Sequence, residues 1–135
     1  MRSGLVALIP LLVACGPEGT AEEQVELNPS EVETDAGVFS IHLTPSSDPF
    51  ASGDSMELGL HVMFEDVGVE NAVVVVTPFM PDMGHGVDDQ PTVTEGDMGM
   101  YTATWTYSMA GYWEVTIEVD ASEGVDTVTV AYEVE

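Results

Sequence analysis

From residue 39 onward the chain alternates apolar and polar residues with a period of two. Phe39, Ile41 and Leu43 alternate with Ser40, His42 and Thr44. Met56, Leu58, Leu60, Val62 and Phe64 form a second such run, and Tyr101, Ala103, Trp105 and Tyr107 a third. Trp113, Val115, Ile117 and Val119 form a fourth, and Val128, Val130, Tyr132 and Val134 a fifth. Successive side chains of a strand point to opposite faces, so each run predicts a strand with one buried and one wet face. Ala72 to Val76 is apolar throughout and predicts a central strand covered on both sides.

Turn-forming clusters separate the runs, among them Pro45-Ser46-Ser47-Asp48-Pro49, Asp66-Val67-Gly68, Glu95-Gly96-Asp97 and Ser122-Glu123-Gly124. No segment sustains an apolar stripe of helical period. About seven short strands in roughly 100 residues predict an all-β fold, an immunoglobulin-like antiparallel β-sandwich. An antibody-type domain is excluded because the two inter-sheet cysteines are absent; Cys15 is the only cysteine.

The first 36 residues read differently. Arg2 is followed by an apolar run too short to span a bilayer, which needs about 20 residues, and such a run reads as an export signal. Its end, Leu12-Val13-Ala14-Cys15, resembles the lipobox of bacterial lipoproteins. The resemblance implies cleavage before Cys15, thioether lipid attachment at Cys15 and acylation of its new amino group, palmitate being one such acyl chain. The expected organisation is a lipoprotein signal peptide over 1–14, a lipidated flexible tether over 15–36 and a β-sandwich domain over 37–135. The tether is rich in Gly, Pro, Glu and Thr and has too little apolar surface to offset its ordering entropy. The expected location is extracytoplasmic, lipid-anchored to the cell membrane or to the outer membrane facing the periplasm. Gly16 leans toward the outer membrane, since aspartate at that position favours inner-membrane retention in enteric bacteria.

Charge narrows the partners. The chain has 25 Asp and Glu against one basic residue, Arg2, which the cleavage would remove. Nothing in the mature chain could neutralise phosphates, so nucleic acid is excluded. No Lys or Arg remains to pair with a carboxylate, and the fold must rest on burial and hydrogen bonding. Salt relieves the self-repulsion of so acidic a chain, the Debye length falling to about 3 Å at 1 M. A saline setting fits, and metal cations or basic partners are favoured by the same field.

One segment departs from the strand pattern: Thr77-Pro78-Phe79-Met80-Pro81-Asp82-Met83-Gly84-His85-Gly86. Its prolines and glycines predict a loop, and loops on a rigid scaffold concentrate binding residues. Thioether and imidazole are ligands that suit copper, and thioether selects Cu(I) against harder ions. Met80, Met83 and His85, joined by one of Met98, Met100 or Met109 from later turns, would make a soft site with Trp105 or Trp113 beside it. Each methionine could equally fill a gap in the core, and both indoles fall on inward positions. His42 and His61 fall on outward positions, where a lone histidine is ordinarily solvated. His61 and Met63 project from one face.

Met80-Pro81-Asp82-Met83-Gly84-His85-Gly86, then Gly99-Met100-Tyr101 and Met109-Ala110-Gly111-Tyr112-Trp113, resemble the motifs of the YtkA-like domain, a small exported β-sandwich family similar also to the FixH group. The resemblance covers roughly Asp54 to Val119. It implies copper handling or assembly of respiratory oxidases, with metal ligands at Met80, Met83, His85 and Met109. The extra Asp97-Met98 departs from the family pattern. Catalysis is not expected: no second cysteine, nucleophile elbow or oxyanion-stabilising cation is present, and no small-molecule substrate is implied. The expected function is a membrane-tethered soft-metal module, a copper chaperone or scavenger meeting a copper-handling or respiratory-complex partner. The alternative is a structural or adaptor domain in an envelope complex.

Overall fold

The computed structural model describes residues 25–47 and 50–135; the expected signal peptide, Cys15 and the start of the tether lie outside the described residues. The strands are β1 (Glu26–Leu27), β2 (Glu31–Glu33), β3 (Ser40–Pro45), β4 (Ser55–Phe64), β5 (Val67–Gly68), β6 (Val73–Met80), β7 (His85–Gly86), β8 (Thr92–Glu95), β9 (Met100–Thr106), β10 (Gly111–Ala121) and β11 (Gly124–Val134). No helix occurs among the described residues.

The strands form two sheets, ordered β1-β11-β10-β6-β7 and β2-β3-β4-β9-β8, with β5 paired to β4 alone. All pairings are antiparallel except that of β1 with β11. Seven strands carry the frame. The order β3-β4-β9-β8 against β11-β10-β6 is the A-B-E-D and G-F-C arrangement of constant-type immunoglobulin domains. The fold is therefore an immunoglobulin-like β-sandwich.

The alternation read from the sequence sets the core. Ile41, Leu58, Leu60, Val62, Ala103, Val115, Ile117, Val119 and Val130 are fully buried between the sheets. Met56 packs among them as an ordinary core side chain. Phe50 fills one end, its ring centroid 5.2 Å from that of Tyr132 and 5.5 Å from that of Tyr107. Burial there pushes the Tyr107 and Tyr132 hydroxyls well above their usual titration range, mainly through loss of hydration.

Three expectations need correction. Ala72 to Val76 is not covered on both sides: Val74 and Val76 face the core, while Val73 and Val75 are 63% and 38% exposed. Each sheet of a sandwich has only one covered face, and the outward valines suit an extended backbone without being buried by it. Thr77 to Gly86 is not a loop throughout, because β6 runs on to Met80 and β7 returns beside it. Pro78 is tolerated because it follows Val76 by two. The Val76 carbonyl points away from β10, to the Gln90 side chain, so the N–H that proline lacks falls on the same open edge.

The third correction concerns the tether. Part of it belongs to the sandwich: β1 pairs β11, β2 pairs β3, and Val32 is buried. The low apolar content of this stretch hid it, since two strands of two and three residues bury little. It is fastened instead by hydrogen bonds. The buried Asp126 carboxylate accepts from the Ala36 N–H at 2.9 Å, the Val38 N–H at 3.2 Å and the Thr127 N–H at 2.9 Å.

Candidate metal centre

The β6–β7 hairpin places Met80 directly opposite His85. Residues paired this way project from the same face, with Cβ atoms about 4.5–5.5 Å apart. That face is inward: Met80 is 4% exposed and His85 half-buried. The turn between them closes on the Met80 carbonyl, which accepts the N–H groups of Met83 at 3.1 Å and Gly84 at 2.8 Å. Gly84 has φ of +72°, a left-handed conformation that glycine adopts without strain. The glycine before the histidine thus brings His85 back over Met80.

His85 is braced on two sides. Its Nδ1 lies 3.0 Å from the Gly86 carbonyl, which can only accept. In the neutral ring Nδ1 therefore carries the proton, and Nε2 keeps the lone pair that would bind a metal. The ring also stands in an edge-on contact with Trp113, centroids 6.2 Å apart. Trp113 is fully buried, and its indole N–H donates to the Met109 carbonyl at 3.0 Å. Gly111 completes the arrangement: a Cβ at that position would lie 2.5 Å from the Met80 Cε. The absent side chain is the space that the Met80 methyl occupies.

The structure therefore brings Met80, His85 and Trp113 together, with the Met109 turn held against the Trp113 indole. Met83 stands apart at the hairpin tip, 55% exposed. Met98 and Met100 do not join this end. Met98 precedes β9 and Met100 begins it, whereas Met109 follows its far end, a separation of roughly 20 Å at the rise of a strand. Trp105 is a core residue, its ring against Phe50 and Tyr107. Among the described residues no three of His, Cys, Asp and Glu converge on one point. Any metal held here needs thioether donors.

Sequence reasoning underrated two residues. Trp113 is a core side chain, as its inward position required, and it also stands in T-shaped contact with the imidazole. Gly111 signals its role only as a glycine at the start of a strand, where a close approach is the usual cause. The other shared motif, Gly99-Met100-Tyr101, is architectural. Gly99 has φ of +86°, and a Cβ there would lie 2.7 Å from Gly68 Cα and from the Val62 carbonyl. The Tyr101 hydroxyl donates to the Val69 carbonyl at 2.8 Å and accepts the Ala72 N–H at 3.1 Å, latching the crossing from β5 to β6.

The stretch that carries these motifs is matched by a family model. The YtkA-like model aligns with residues 19–118, most of the chain. The chain belongs to the YtkA-like family. The matched span takes in β1 through most of β10, and thus the hairpin, Gly111 and Trp113. Among solved structures this YtkA-like chain is similar to the Lin-41 filamin domain, at 13% identity and a TM-score of 0.47. That similarity covers 69% of this chain and 91% of the filamin domain. Comparison with curated proteins gives no match.

Proposed function

We propose that this YtkA-like domain is a membrane-tethered, extracytoplasmic Cu(I)-binding module, acting as chaperone or scavenger and held to the membrane through lipid on Cys15. The observation that carries the reading is the pairing of Met80 with His85 across the hairpin, with imidazole Nδ1 held 3.0 Å from the Gly86 carbonyl and Trp113 in T-shaped contact with the ring. A buried thioether and an oriented imidazole favour a soft monovalent ion over zinc or calcium. Met109 is the available further sulfur at this end. Exposed Met83 is placed to receive the ion or to pass it to a copper-handling or respiratory partner.

The test is an anaerobic Cu(I) titration of the full-length chain in detergent against a competing chelator. Stoichiometric binding is expected, weakened at least about tenfold in His85→Ala and in Met80→Leu, which removes the sulfur while nearly conserving volume. A smaller loss is expected in Met83→Leu. Affinity unchanged in both of the first two variants would end the proposal.

One observation favours a second reading, a structural or adaptor role. Phe79 is 43% exposed on the same hairpin as Met83, in line with the outward Val73 and Val75. This apolar strip along a sheet edge suits a partner protein. A chain that binds no Cu(I), yet loses a partner when Phe79 and Met83 are made polar, would belong to that class.

A further inference from the structure

The outer face of the other sheet holds a second group of donor side chains, remote from the hairpin. Glu31 on β2 lies opposite His42 on β3, His42 opposite His61 on β4, and His61 opposite Met100 on β9. Their neighbours Val32, Ile41, Val62 and Tyr101 are buried, so alternation turns the whole row outward. The two imidazole centroids are 6.3 Å apart, with the rings tilted by 56°.

Both rings are oriented by an acceptor. His42 Nε2 lies 3.3 Å from Glu31 Oε2, and His61 Nε2 lies 3.1 Å from the Met98 carbonyl. Neither acceptor has a proton to give, so in the neutral rings each Nε2 carries the hydrogen and each Nδ1 the lone pair. A carboxylate or carbonyl on the far nitrogen is the usual means by which a protein fixes a metal-binding histidine. An ion about 2.0–2.1 Å from one nitrogen of each ring would hold the ring centres roughly 5–6.5 Å apart. The observed spacing lies at the upper end of that range, where the two nitrogens stand nearly opposite each other across the ion. Met100, 44% exposed, lies directly across from His61 and adds a thioether to the same face.

We infer that this row is a second metal site, taking Cu(II) on His42 and His61 with Met100 as third donor, while Glu31 and the Met98 carbonyl orient the rings. Imidazole accepts copper, nickel and zinc alike, and Cu(II) heads the affinity order of the divalent ions. The thioether tips the choice further toward copper. Among the described residues no three of His, Cys, Asp and Glu converge on one ion, Glu31 being turned to the far nitrogen of His42, so a zinc site of ordinary composition is not formed. This site does not rest on the hairpin reading: it lies on the opposite sheet and takes the other oxidation state.

The experiment is aerobic titration of the full-length chain with Cu(II), followed by electron paramagnetic resonance. One strongly bound equivalent with coupling to two nitrogens is expected. His42→Ala and His61→Ala should each remove one nitrogen and weaken binding at least about tenfold. Glu31→Gln should keep both nitrogens and weaken binding about tenfold, as loss of an orienting partner does. His85→Ala should leave signal and affinity unchanged, which separates this site from the Cu(I) proposal. Circular dichroism checks that the outward substitutions leave the fold intact. Spectra showing oxygen ligands alone would overturn the site, as would binding unchanged in both histidine variants. Loss of the signal in His85→Ala would overturn it too, by moving Cu(II) to the hairpin.

Discussion

The two donor groups use one pair of residue types in opposite surroundings. At the hairpin, Met80 is buried and His85 leans on a buried tryptophan, so any ion there is sheltered and its ligands are set by packing. On the outer face, His42 and its partner Glu31 have side chains each 56% exposed, and the ligands are set by strand register and two hydrogen bonds. The first group is costly to alter because the fold depends on it. The second can be rewritten at little cost to stability. Immersion in packed core and display on a flat sheet are two ways for one sandwich to present imidazole beside sulfur.

The sharpest break in that comparison is Trp113→Ala. It empties a fully buried site and leaves the Met109 carbonyl without its donor, so a loss of about 3–5 kcal/mol is expected. His61→Ala, on the wet face, should stay within about 0.5 kcal/mol of the parent. Urea denaturation of both variants checks the contrast. Equal losses would mean that the outer row bears structural weight, against the distinction drawn above.

A finer probe acts on the hairpin alone. Gly111→Ala places a Cβ against the Met80 methyl, at a backbone φ of 135° that suits glycine. A loss of about 1–3 kcal/mol is expected, in the range of overpacked cores. Truncating Met80 in the same chain should recover the part due to the clash and leave the part due to backbone conformation. A double-mutant cycle measures the two separately. Additive losses would show that the thioether does not lean on Gly111.

Most of this frame was legible in the chain before the fold was seen. Period-two alternation marked β3, β4, β9, β10 and β11 with their inward residues, because one face of each is buried against the other sheet. Hydropathy misled at β6, where Val73 and Val75 are apolar yet face water. A sandwich sheet has only one covered face, and which face is covered follows from pairing between residues far apart in sequence. Pro78 argued for a loop on local grounds, and the open edge removed the objection. The soft donors were visible as residue types, but their partners were not. Met83 lies closest to His85 in sequence, yet register gives His85 to Met80. Register likewise sets His42, His61 and Met100 in one row, although each read singly is an unremarkable outward side chain. Residues 31–33 escaped notice because hydrogen bonds rather than apolar burial hold the turn that follows them.

That turn gives the last and smallest of the expected effects, and it falls on the side of the molecule that carries Glu31 and His42. Burial by itself raises the Asp126 carboxyl, but hydrogen bonds from the Thr34 hydroxyl and from the N–H groups of Thr127, Val38 and Ala36 outweigh it. The group is held below its ordinary value of 3.8 in the folded chain. A depressed folded value means that the unfolded chain takes up the proton first as pH falls. The stabilisation is thus complete above the ordinary carboxylate range and is lost as pH falls through the folded value. Asp126→Asn should cost about 1–2 kcal/mol near neutral pH, the worth of a weakened charge-assisted hydrogen bond. The difference from the parent should shrink steadily below about pH 4. Stability curves of the two chains between pH 2 and 7 measure it, and a gap that persists at pH 2 would show that shape rather than charge secures the turn. If the gap closes, acid should loosen β2 from β3, and the Glu31–His42 contact with it, before it disturbs the hairpin, whose packing rests on Trp113 and Gly111.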